Sequence, residues 1–68
     1  MSATLELLRA RGISPTPQRI AIARFVLETQ DHPSAEQVWE TVRKECPTVS
    51  RATVYNTLNL LVQKGLLK

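Results

Sequence analysis

The chain has 68 residues, of which 43% are hydrophobic and 22% charged, and its formal net charge is +3. A domain of this length buries only about 60% of the surface of its unfolded chain, which excludes a deep catalytic cavity and leaves room for one domain of a few packed helices. We find neither a long apolar run nor an export leader, so we expect a cytoplasmic protein with no membrane partner, and the basic balance favours nucleic acid as a partner.

Two helices are predicted in the first half of the chain. The first covers about residues 3–11, and Gly12 is placed to end it. The second covers about residues 17–29, with Thr16 as its N-cap and Pro17 at its first position, where a missing N–H costs nothing. This second helix has a broad apolar face, which is typical of the central helix of a bundle. The residues of this face are Ile20, Ile22, Ala23, Val26 and Leu27.

A third helix is predicted over about residues 35–45. Ser34 and Gln37 have the spacing of a capping box, in which each side chain bonds to the other residue's backbone N–H. Pro47 stops the pattern. The apolar positions repeat at helical spacing and predict one buried face, formed by Ala35, Val38, Trp39 and Val42.

The fourth helix is predicted over about residues 51–64, with Ser50 as N-cap and Gly65 as C-cap. Val49 and Val54 are spaced as a hydrophobic staple around this cap. The fold class is therefore mainly all-α, with four helices.

The last residues, Leu66 and Leu67, are predicted to open a β-strand. The sequence therefore ends where a strand follows four helices, and we expect it to be the N-terminal part of a longer protein. We expect the chain to be too short to complete this strand.

The last two predicted helices form a helix-turn-helix pattern, in which the second helix enters the major groove of DNA. We predict that Val54, Leu58, Leu61 and Val62 form the inner face of the fourth helix. The opposite face carries Arg51, Ala52, Tyr55, Asn56, Asn59 and Gln63. No carboxylate occurs from position 50 to position 68, and this combination suits base edges and phosphates. An uncharged surface helix, or one packed on another domain, stays open as an alternative.

Three segments carry a family resemblance: residues 12–19 (GISPTPQR), 32–39 (HPSAEQVW) and 50–58 (SRATVYNTL). In this order and spacing they resemble the ferric uptake regulator (Fur) family. The resemblance implies that residues 1–68 are a winged-helix DNA-binding domain, truncated before its wing and before a dimerisation domain. It further implies a metal-dependent repressor of metal uptake or peroxide stress genes that binds AT-rich inverted repeats of double-stranded DNA.

Individual positions gain roles from this resemblance. Tyr55 is expected to touch thymines. The asparagine at position 56 is similar to the residue that the peroxide-responsive members have there, whereas iron-responsive members commonly carry Arg at this position. Arg19 matches an arginine that implies a phosphate contact, although a solvated surface arginine is an equal alternative. Ser14 departs from the lysine that several members place in the minor groove. The predicted DNA-contacting residues are Arg19, Ser50, Arg51, Ala52, Thr53, Tyr55, Asn56 and Asn59.

His32 is the metal-ligand candidate that the resemblance implies, for a full-length parent only. There it would join other ligands to hold a regulatory divalent metal, Fe, Zn, Mn or Ni, beside a structural Zn, and the parent would be a homodimer. The lone cysteine, Cys46, is interpreted as a small apolar residue at a helix end. For this chain alone we expect no cofactor and a monomer that binds DNA weakly.

Two other functions remain as alternatives. A helical protein–protein interaction module could use Arg51 and Tyr55 as contact residues. The chain could also belong to another winged-helix regulator family. An enzyme is not expected, because the sequence has no glycine-rich phosphate loop and no catalytic constellation.

Overall fold

The computed structural model describes residues 3–29 and 33–67. It contains four helices, as the sequence predicted. They are α1 (Ala3–Ala10), α2 (Pro17–Glu28), α3 (Ala35–Val42) and α4 (Arg51–Gln63). No strand occurs within the described residues, so this part of the chain is all-α.

The core lies between α2, α3 and α4, which pack on one another, while α1 packs against α2. Each helix contributes at least one fully buried side chain, and burying such a side chain contributes about 1.5–3 kcal/mol. These residues are Leu8, Ile22, Val38, Val54 and Leu61. Among the described helices, none has the length and apolar character needed to cross a membrane.

The predicted N-caps are confirmed. The Arg19 backbone N–H donates to Oγ1 of Thr16 at 3.2 Å, directly before Pro17 begins α2. At the start of α3, the Gln37 backbone N–H donates to Oγ of Ser34 at 3.2 Å. The Ser34 N–H donates in return to Oε1 of Gln37 at 2.8 Å, which completes the capping box.

Both predicted glycine caps are confirmed as well. Gly12 has φ +73° and Gly65 has φ +78°, a left-handed conformation that favours glycine. After α1, the Ile13 N–H donates to the carbonyl oxygen of Leu8 at 2.9 Å. Both of these side chains are buried, so the turn also adds an apolar contact to the core.

The predicted strand at the end of the chain is wrong for the residues described. The backbone N–H groups of Leu66 and Leu67 both donate to the carbonyl oxygen of Leu61, at 2.9 and 3.3 Å. These donors therefore close the last turn of α4 and are not available to a β-ladder. Both leucine side chains pack against the core, which explains their apolar character without a strand.

Helix α3 ends at Val42, earlier than the predicted range of 35–45, whereas the other three predicted ends lie one residue too far. The chain continues as hydrogen-bonded turns, in which the Glu45 N–H donates to the Val42 carbonyl oxygen at 3.0 Å. Pro47 gives the reason, since in a continued helix its ring would clash with the carbonyl group of Arg43 and it has no N–H to donate there. Cys46 is half-buried against the core.

Candidate nucleic-acid interface

Helix α4 has one buried face and one exposed face. Val54, Thr57 and Leu61 are buried, at helical spacing, and Leu58 lies half-buried beside them. The prediction that Val62 belongs to this inner face is wrong, because its exposed fraction is 49%. Thr57 occupies the position facing the core, and the next turn brings Leu61, not Val62, back to it.

The exposed face of α4 holds most of the predicted DNA-contacting side chains. Ala52, Asn56 and Asn59 recur at intervals of four and three residues and form one stripe. Tyr55 lies beside this stripe with an exposed fraction of 53%. Arg51 is exposed as well, and Thr53 is half-buried. These residues of α4 therefore present an aromatic ring, two carboxamides and a guanidinium to solvent.

The start of α4 is fixed by Ser50. Its Oγ accepts the Thr53 backbone N–H at 3.1 Å and lies 2.9 Å from Oγ1 of Thr53. The Val54 N–H donates to the Ser50 carbonyl oxygen at 3.2 Å, where the regular ladder begins. The amide groups of Arg51 and Ala52 precede that ladder, and the positive end of the helix dipole lies there.

Arg19 lies on α2, apart from the residues that share α4. Its Nη1 donates to the carbonyl oxygen of Ser14 at 3.1 Å, so the side chain is folded back onto the joint between α1 and α2. Only one of the five guanidinium N–H donors is used in this bond. The rest of the group can still donate to an anion.

An acidic side chain of α3 reaches the start of α4. Oε1 of Glu36 lies 2.8 Å from Nη2 of Arg51, and the exposed fractions of the two side chains are 50% and 58%. The sequence of α4 has no carboxylate of its own, but the fold brings one to its first residue. Sequence reasoning missed this pair.

Trp39 is a second contact of Arg51. The Arg51 guanidinium lies 4.3 Å from the centroid of the indole ring, and that of Arg43 lies 4.7 Å from it. The indole N–H donates to the carbonyl oxygen of Val49 at 3.1 Å, which fixes the ring. The sequence predicted Trp39 only as a core residue, and no sequence signal identified it as a platform for two arginines.

The described residues do not provide a metal site. No group of three or more His, Cys, Asp or Glu side chains among them is arranged to hold a metal ion. The predicted ligand, His32, lies outside the described residues. The described residues alone therefore do not fit a regulatory metal.

The sequence of this chain matches a known family. The sequence model of the Ferric uptake regulator family matches residues 10–68, which is most of the chain. The chain belongs to the ferric uptake regulator family. The resemblance seen in the three sequence segments is thereby confirmed.

Curated members of the family match over most of this chain. The peroxide-responsive repressor PerR of Staphylococcus aureus strain Mu50 is 38% identical over 61 residues, and PerR of strain USA300 is 36% identical over 61 residues. Each match covers 90% of this chain and 41% of the relative. The chain thus spans about two fifths of the length of these relatives.

Two solved family structures have the same fold. PerR from Streptococcus pyogenes has a TM-score of 0.79 at 37% identity, and the match covers 96% of this chain and 46% of that one. A zinc-bound form described as GAS PerR-Zn-Zn has a TM-score of 0.78 at 39% identity, covering 90% of this chain and 39% of that one. The winged-helix class predicted from the sequence is therefore confirmed.

Proposed function

We propose that this chain is the double-stranded-DNA-binding domain of a transcriptional repressor, and that α4 reads the major groove. The observation that carries the proposal is the exposed face of α4, where Tyr55 stands 53% exposed beside Asn56 and Asn59. A surface helix is usually rich in Glu and Lys, whereas this face has Arg, Tyr and Asn and no acid of its own.

The roles divide by chemistry. Arg51, Tyr55 and Asn56 meet base edges, since the arginine fork suits guanine, the carboxamide suits adenine, and the aromatic ring offers apolar surface to a thymine methyl. Ser50 and Arg19 lie near backbone phosphates. The helix dipole at Ser50 supports this assignment, as do the Arg19 donors that take no part in the bond to Ser14. Ala52, Thr53 and Asn59 complete the surface that faces the groove.

The family assignment extends the proposal to a longer protein. The relatives named above are peroxide-responsive repressors, and the asparagine at position 56 is similar to the residue of the peroxide-responsive members. We therefore propose that the longer protein is a regulator that responds to metal or peroxide. Two copies of the domain would read the two halves of an AT-rich inverted repeat. We assign no step of this response to the described residues, because they lack a metal-ligand set.

The test is an NMR titration of the isotope-labelled chain with a short AT-rich inverted-repeat duplex at low salt. We expect amide shifts concentrated in residues 50–59. Tyr55→Ala should weaken binding about tenfold, because the loss of one base contact costs about 1–3 kcal/mol.

Leu7→Ala is the matched control for that variant. Leu7 is an apolar side chain on α1 with an exposed fraction of 42%, similar to that of Tyr55. Its removal should leave the affinity unchanged. Shifts spread evenly over all basic residues, or equal losses in both variants, would contradict groove reading by α4 and favour the protein-interaction alternative.

A further inference from the structure

Arg51, the first residue of α4, is held against α3 by two interactions. Its Nη2 lies 2.8 Å from Oε1 of Glu36, and its guanidinium lies 4.3 Å from the centre of the Trp39 ring. The ring is itself fixed, because its N–H bonds to the carbonyl oxygen of Val49. These contacts hold the guanidinium against the surface of α3, next to the helix that we propose reads DNA.

We propose that Glu36 competes with DNA for Arg51 and thereby limits the affinity of this domain for DNA. The inference rests on the proposed function, since it requires α4 to meet DNA. While Arg51 stays with Glu36, its charge is neutralised locally and adds little attraction for phosphates. DNA gains the full contact only when the ion pair opens.

The exposure of the pair makes this competition possible. The two side chains are 58% and 50% exposed, and an ion pair in such surroundings is weak enough for a nucleic acid to displace. Any bond that Arg51 makes to DNA, whether to a phosphate or to a base edge, must first replace its bond to Glu36. Glu36 therefore lowers the affinity of the domain for DNA by up to the free energy of the ion pair.

Arg43 adds to this balance. Its guanidinium lies 4.7 Å from the centre of the Trp39 ring that Arg51 also contacts. The positive charges of Arg43 and Arg51 repel each other, and this repulsion favours the release of Arg51 from the ring once the charge of Glu36 is removed by substitution. Among the described residues, Arg43 forms no ion pair with a carboxylate.

The experiment compares Glu36→Gln with Glu40→Gln. Both residues are exposed on α3, one helical turn apart, and each substitution raises the net charge by one. Within residues 3–29 and 33–67, Glu40 forms no ion pair. For a duplex of unrelated sequence, we expect Glu36→Gln to tighten binding about two- to five-fold and Glu40→Gln to change it little. The slope of log affinity against log salt should steepen by about 0.9 in Glu36→Gln alone.

A double-mutant cycle with Arg51→Gln identifies the mechanism. If Glu36 competes for Arg51, then Arg51→Gln loses more affinity in the Glu36→Gln background than in the unmodified chain. A smaller loss would mean that Glu36 orients Arg51 for DNA, and an equal loss would mean that the two residues act independently. Either result overturns the inference.

The same titrations separate this inference from the proposed function. Binding by the unmodified chain with equal effects of Glu36→Gln and Glu40→Gln overturns the role of Glu36 alone. No binding by any of the variants, with their helical circular dichroism intact, overturns the DNA-binding function and this inference with it.

Discussion

The indole N–H of Trp39 donates to the carbonyl oxygen of Val49, 3.1 Å away, and so ties α3 to the residue that precedes the cap of α4. Val49 is buried and Trp39 is half-buried. Because Ser50 follows Val49 directly, this bond helps to set where α4 begins relative to α3. The relative position of two helices in a helix-turn-helix unit determines how the second can enter a groove.

Trp39→Phe should therefore destabilise the fold. The variant keeps an aromatic ring but leaves the Val49 carbonyl oxygen without its donor, which costs about 1–3 kcal/mol. Urea unfolding followed by circular dichroism measures the change. Tyr55→Phe is the control, since it removes an exposed hydroxyl and should change the unfolding free energy by less than about 0.5 kcal/mol. Equal stabilities of the two variants would show that the indole bond contributes nothing.

The two faces of α4 can be tested with neighbouring residues. Leu61 is fully buried and Val62 is 49% exposed. Leu61→Ala should lower the unfolding free energy by about 2–5 kcal/mol, because it leaves a cavity in a small core. Val62→Ala should change it by less than about 0.5 kcal/mol. Thermal unfolding of the two variants measures both values, and comparable losses would restore the inner-face role predicted for Val62.

Much of the fold could be predicted because its signals are local. The capping box of Ser34 and Gln37 spans three residues, and Gly12 supplies the left-handed conformation that ends α1. The inner face of α4 was only partly predictable. Thr57 is polar but 3% exposed, so a pattern of apolar residues alone predicts Val62 in its place.

The candidate site also has features that the sequence predicts and one that it does not. The exposure of Tyr55 and Asn56 follows from helical periodicity within α4, which a sequence contains. The contact between Glu36 and Arg51 joins residues 15 positions apart and depends on how α3 and α4 cross and on two side-chain rotamers. Neither quantity can be read from the spacing of residues along the chain.

The left-handed conformation of Gly65, at the C-terminal cap of α4, can be tested by substitution. A Cβ on Gly65 would lie 3.2 Å from Nη1 of Arg11, and that same Nη1 donates to the carbonyl oxygen of Lys64 at 2.8 Å. Gly12 has a similar φ but open space around its Cβ position. Both Gly→Ala changes should cost about 1–2 kcal/mol of unfolding free energy from backbone strain. The cost at Gly65 should be the larger.

Arg11→Ala provides the control for that difference. In its background, Gly65→Ala and Gly12→Ala should destabilise the chain equally, since the crowded side chain is gone. Chemical denaturation of the two glycine variants, of Arg11→Ala and of the two double variants gives the comparison. An excess at Gly65 that persists without Arg11 would mean that the displaced guanidinium is not its cause.

Substitutions of Ser50 separate its capping role from its proposed place near phosphate. Ser50→Ala removes the acceptor of the Thr53 N–H and should lower the unfolding free energy by about 1 kcal/mol. Ser50→Asp keeps a capping oxygen, so its stability should stay near that of the unmodified chain. Its carboxylate, however, would repel phosphate at the start of α4, and duplex affinity should fall roughly tenfold in a fluorescence anisotropy titration. Ser34→Asp makes the same change of charge at the cap of α3 and should weaken binding less. Equal losses in the two Asp variants would mean that net charge alone sets the affinity and that Ser50 does not lie at the DNA.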